Sequence, residues 1–155
     1  MDKIIGIVGG VGPYAGVDLV TKILNLTKAG KDQDHLPLVL MSLPGLIHDR
    51  TAFLLGETDV NPAYAISRII MKLQQVGADV AGIPCNTAHA PSIFNLIQAE
   101  LVKNNCRIKL LNMIEEVVAY IIRTYPNVGR IGVLSTNGVY QTRIYQNILE
   151  KIQLQ

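Results

Sequence analysis

The stretch Asp79-Val80-Ala81-Gly82-Ile83-Pro84-Cys85-Asn86-Thr87-Ala88-His89-Ala90-Pro91 decides how the chain is read. Val80 to Ile83 is a short apolar run that reads as a buried strand. Pro84 cannot donate to a ladder and would end it. Cys85, Asn86 and Thr87 then set a thiol, an amide and a hydroxyl where a helical pattern begins. In an open α/β sheet, ligands bind at the carboxyl ends of strands. The unpaired N–H groups and dipole of a helix start favour an anion there, whether thiolate or carboxylate. A cysteine so placed is a usable base or nucleophile. The competing reading of Cys85 is a buried cysteine acting as a small hydrophobe. Its position between Pro84 and two polar residues argues against that. Asn86 and Thr87 are candidate binding residues that could equally cap the helix. His89 could polarise the thiol, as in a Cys–His pair, or lie on the helix surface.

The flanking pattern alternates. Lys3 to Val8 is a continuously apolar, β-branched run, the signature of a strand covered on both faces. Gly9-Gly10-Val11-Gly12-Pro13 breaks it. A helix is expected from Pro13 to Ala29, with Val17, Val20, Ile23, Leu24 and Leu26 as its apolar positions and Gly30 as its stop. Asp32 to His35 reads as a loop, Leu36 to Leu43 as a strand, and Pro44 to Thr58 as an irregular excursion. The next helix runs from Asn61 to Gly77, with Ile66, Ile69, Ile70, Leu73 and Val76 facing inward. Beyond Cys85 come a helix over Ala88 to Lys103, a strand over Ile108 to Leu111 and a helix over Met113 to Tyr125. A fifth strand over Arg130 to Leu134 and a helix over Val139 to Ile152 complete the pattern.

This order predicts an α/β fold: an open parallel sheet flanked by helices. Residues 1–112 form a first lobe carrying the Cys85 site, and 113–155 the start of a second. A lone strand–helix pair cannot bury both faces. Either the chain is a fragment, or residues 113–155 pack on the first lobe. Strand, glycine turn and helix occur at 3–29 and again at 130–152, which is either an internal duplication or the ordinary self-similarity of α/β chains.

Composition narrows the class. A chain of 155 residues, 49% hydrophobic and 17% charged, can build one well-buried core. The net charge of +2 is scattered and aromatics are only 5%, so no nucleic acid partner is expected. No apolar run approaches the ~20 residues of a membrane span. Met1 to Ile5 leads directly into a strand, which argues against a signal peptide. Two cysteines make no disulfide framework. The expected location is the cytoplasm.

Four ordered stretches, Gly6 to Pro13, Asp32 to His35, His48-Asp49-Arg50-Thr51 and Pro84 to His89, together resemble the aspartate/glutamate racemase family, most closely its aspartate racemase branch. The likeness runs from residue 3 to about 150. It implies two similar lobes with the site between them, cofactor-independent catalysis by cysteines, and a small dicarboxylic amino acid as substrate; a homodimer is a candidate assembly. Pro84 to His89 looks like the first catalytic cysteine motif. The second, a Gly-Cys-Thr-Glu motif, does not occur in the sequence. Pyridoxal phosphate is not expected: no lysine sits in a recognisable setting for it.

Gly9 to Gly12 fits neither dinucleotide nor P-loop spacing. Its expected use is close backbone approach to an anion, at Val11, where the family usually has methionine. Arg50 could be a solvated arginine. Its loop leaves the same sheet edge as Cys85, however, and a guanidinium can grip a carboxylate bidentately. The resemblance also places a substrate-binding arginine at this motif. In Ser135-Thr136-Asn137-Gly138, Thr136 matches a substrate contact, while Val139 replaces an expected threonine.

Racemisation needs a base and an acid on opposite faces of Cα, here a thiolate and a thiol, with donors around the carboxylate to stabilise the carbanion. Cys85 would be one base. Cys106 cannot be the other, because a helix of about 15 residues carries the chain roughly 22 Å away from Cys85 before reaching it. The alternatives are a non-catalytic small-acid binding fragment and a one-cysteine isomerase of the hydantoin racemase or maleate isomerase type.

Overall fold

The computed structural model describes residues 3–152. Four parallel strands, β1 (Ile4–Gly9), β2 (Leu38–Ser42), β3 (Ala78–Gly82) and β4 (Lys109–Leu110), form one sheet in the order β2-β1-β3-β4. The helices are α1 (Pro13–Leu26), α2 (Arg50–Leu54), α3 (Ala63–Gln75), α4 (Pro91–Lys103), α5 (Met113–Thr124), α6 (Asn137–Thr142) and α7 (Ile144–Lys151).

The parallel α/β sheet is as expected from the sequence. Its core is aliphatic: Ile66, Ile69, Ile70 and Leu73 of α3 and Ile93 and Ile97 of α4 close over Val8, Ala81 and Ile83. Burying side chains of this size contributes about 1.5–3 kcal/mol each. A second, smaller cluster joins Ala90 to Ile114, Val139 and Ile144, so α5 to α7 pack against the end of the Cys85 loop.

The strand order fixes where a ligand can sit. From β1 the chain steps to one side for β2, then crosses to the other for β3. The switch point therefore lies between β1 and β3, and the crevice outside their carboxyl ends is flanked by residues 10–12 and 83–87. Two close approaches shape it. Gly10 has φ +81, and a Cβ there would lie 2.7 Å from the Pro44 nitrogen. Gly16 of α1 lies against β1: a Cβ there would be 3.3 Å from the Gly9 Cα.

Several local expectations are corrected. α1 ends at Leu26, because extended Thr27 donates its hydroxyl back to the Ile23 carbonyl. Its apolar positions do not form a buried face: Gly16 is its buried residue, and Val17, Leu24 and Leu26 are exposed. Val76 is exposed as well, since Gly77 at φ +94 turns the chain off the helical face. The excursion after β2 holds a short 3-10 turn, Pro44–Leu46, and α2. Arg130 to Leu134 forms no strand. It has the right alternation, but among the described residues no strand beyond β4 offers it a ladder. The last helix is two, split at Arg143, which adopts the left-handed conformation at φ 49.

Candidate active site

At the switch point, Val11, Arg50, Cys85, Asn86, Thr87 and Thr136 line one open cavity of about 520 Å³. These are the six residues singled out from the sequence, and the cavity adds Thr51, Leu134, Ser135 and Val139 to them. The Asp32–Asp34 turn and His35 are exposed and take no part in it.

The thiol is not at a helix start. After Pro84 the chain makes a 3-10 turn, Thr87–His89, and α4 begins only at Pro91 with Ala90 as its cap. Asn86 and Thr87 therefore do not cap α4, and the expected dipole contribution to Cys85 is displaced by a full turn. What faces the thiol instead is a hydroxyl: Cys85 Sγ and Thr87 Oγ1 are 3.3 Å apart. Cys106 lies just before β4 and donates to Gln74 Oε1. In a parallel sheet that is the amino edge, opposite Cys85, as expected from the sequence.

His89 is neither thiol partner nor surface residue. It is 4% exposed and stacks on Phe94. Its Nδ1 lies 2.8 Å from the Cys85 carbonyl, and its Nε2 accepts the Met113 N–H at 3.1 Å. The two contacts require the neutral ring with the proton on Nδ1. His89 thus clips the backbone of the Cys85 loop to the first residue of α5. Burial pushes its pKa down, outweighing the upward pull of the Cys85 and Leu111 carbonyls.

The sign of the resulting pH dependence follows. A histidine depressed in the folded state binds its proton more readily when unfolded. Its contribution to stability is present above the ordinary value of about 6.5 and is lost as pH falls from there toward the folded pKa. Thermal unfolding midpoints should fall below about pH 6.5, and His89→Gln should flatten that part of the profile. An unaltered profile in the variant would assign the acid sensitivity elsewhere.

Arg50 is the first residue of α2, whose cap is Asp49: its carboxylate accepts the Ala52 N–H at 2.8 Å. Among the described residues, Arg50 Nη1 makes a single long contact, 3.5 Å, to the His48 carbonyl, and its Nε is buried without a partner. A buried donor left unpaired costs about 1–3 kcal/mol, so an acceptor in the cavity would be favoured. The far wall is held close by Gly138, where a Cβ would lie 3.2 Å from Thr51 Oγ1 and 3.3 Å from Thr87 Cγ2. Thr51 was legible only as the last residue of the His48 to Thr51 motif.

Fold and cavity together define an α/β protein with a thiol-bearing cleft at its switch point. A model of the Asp/Glu/hydantoin racemase family matches residues 8–155, and the chain belongs to that family. The broad specificity amino-acid racemase RacX of Bacillus subtilis (strain 168) is 26% identical over 152 residues, covering 94% of this chain and 60% of its own. The aspartate racemase of Picrophilus torridus superposes with a TM-score of 0.80 at 32% identity, covering 98% of this chain and 60% of that one. An aspartate racemase homologue from Pyrococcus horikoshii OT3 gives 0.74 at 20% identity, over 100% of this chain and 63% of its own, a likeness of fold alone. The chain thus spans about 60% of the length of these relatives.

Proposed function

We propose that this chain supplies the substrate cleft and one of the two bases of a cofactor-independent amino-acid racemase acting on aspartate or glutamate. The observation that carries this reading is the gathering of Cys85, Arg50, Asn86, Thr87 and Thr136 around one cavity at the sheet's switch point. Cys85 would take the proton from one face of Cα. The Arg50 guanidinium would hold a carboxylate, and Asn86, Thr87, Thr136 and the backbone at Val11 the remaining polar groups. Confining the carboxylate among preorganised donors is what lowers the cost of the carbanion. Residues 113–155 would begin a second lobe in the sense of the longer relatives, and the second base would come from outside these 155 residues. A thiol that must stay reduced suits the cytoplasm, and no helix among the described residues is long and apolar enough to cross a membrane.

A second reading is favoured by one observation: among the described residues the cavity holds a single thiol. A one-cysteine isomerase or a small-acid binding fragment would need no more. The racemase and the small-acid binding fragment both require saturable binding of a small dicarboxylic acid at the cleft, which an NMR titration with aspartate measures. Inversion at Cα by this chain joined to the unmatched part of an aspartate racemase then separates the racemase from the binding fragment, because binding alone leaves configuration unchanged.

A further inference from the structure

Tyr145 was not singled out from the sequence and does not line the cavity. Yet its Oη donates to Asn86 Oδ1 at 2.7 Å, across 59 positions of sequence. Asn86 follows Cys85 directly and faces the cleft. A carboxamide presents one acceptor oxygen and two N–H donors, and which end faces a ligand depends on what holds the other. Asn86 Oδ1 is the phenol's only hydrogen-bond partner among the described residues, so the O–H proton has that one acceptor. Burial raises the Tyr145 pKa, which keeps the proton in place.

We propose that Tyr145 is a positioning residue that sets the polarity of Asn86: it occupies the carboxamide oxygen and leaves Nδ2 as the group offered to the ligand. That end of the cleft is then a donor site. It takes a carboxylate and disfavours an amide nitrogen or an ammonium group. The inference deepens the proposed function and rests on it, because it names which ligand group Asn86 reads. It also gives α7 a role at the cleft: Ile144 and Leu149 are buried on either side of Tyr145, which sets the reach of its side chain.

The test uses the 155-residue chain with L-aspartate and L-asparagine as probes, by calorimetry, with Asn side-chain amides followed by NMR. In Tyr145→Phe the Asn86 amide resonance should shift, and aspartate affinity should fall about five- to tenfold. Asparagine affinity should hold or rise, because the freed carboxamide can turn its oxygen toward an amide nitrogen. The aspartate-to-asparagine ratio is the decisive readout, since a merely structural role would weaken both ligands alike. An unchanged ratio in a variant whose wild type binds aspartate overturns the role of Tyr145 and leaves the cleft reading standing. A wild type that binds no dicarboxylate overturns the cleft reading and this inference with it. Should Tyr145→Phe fail to fold, Asn86→Asp decides: with Tyr145 on one carboxylate oxygen, the other repels an anion, and aspartate affinity should fall more than about tenfold. Aspartate affinity retained in Asn86→Asp overturns the inference.

Discussion

Alanine at position 85 is expected to lower proton exchange at the Cα of aspartate by about a thousandfold, the size of effect a positioned base supplies. The exchange is measured by NMR in heavy water. The catalyst is a chimaera in which the unmatched part of an aspartate racemase completes this chain. The loss should be chemical, not structural. The group that anchors the loop is the Cys85 carbonyl, which lies against His89 Nδ1, and alanine keeps that carbonyl. The side chain removed is a thiol whose neighbour is the Thr87 hydroxyl at 3.3 Å. A fall of less than tenfold would assign the proton to another group. Without a second base, the 155-residue chain should invert aspartate no faster than its Cys85→Ala form. Cys106 is held at the opposite edge of the sheet by Gln74 and cannot replace the missing base. Inversion by the short chain that Cys106→Ala abolishes would show that placement to be wrong.

Gly10→Ala should be the most damaging small substitution. At φ +81 an L side chain costs about 1–2 kcal/mol in backbone strain. Its Cβ would also meet backbone, 2.7 Å from the Pro44 nitrogen and 3.0 Å from Leu43 atoms, which cannot rotate aside. Forced overpacking adds about 1–3 kcal/mol. The sum, about 2–5 kcal/mol, is a large fraction of the ~5–15 kcal/mol that holds a domain together. In thermal unfolding followed by circular dichroism, the midpoint should fall by roughly 10 °C. The cleft should suffer too, because Gly10 is where the β1 loop touches the loop leading to Arg50. A midpoint unchanged within a degree would mean that these loops can part without cost.

How much of this was legible in the sequence depended on whether the information was local. Lys3 to Val8 and Val80 to Ile83 read as apolar runs ended by glycine or proline, and strands form there, over Ile4–Gly9 and Ala78–Gly82. Ile66, Ile69, Ile70 and Leu73 repeat at helical spacing, and all four are buried. Arg130 to Leu134 carries the same local signal but lacks a neighbouring strand, which no window of sequence reports. Pro91 could have placed the α4 start, since proline favours the first turn of a helix. The polar Cys85-Asn86-Thr87 run suggested an earlier cap. Left-handed Arg143 gave no signal, being neither glycine nor asparagine. At the cleft, motif residues were legible because they cluster in sequence. Tyr145 and the double role of His89 were not, since each is defined by a partner 59 or 24 positions away.

The most direct test of the central claim is the titration of the 15N-labelled chain with aspartate. The cleft reading predicts saturable shifts of the amides of Val11, Arg50, Cys85, Asn86, Thr87 and Thr136, the residues that line one cavity. No shifts are predicted at the groove on the other edge, lined by Gln74, Asp79 and Arg107. Saturable shifts confined to that opposite groove, or none at any residue, would contradict it.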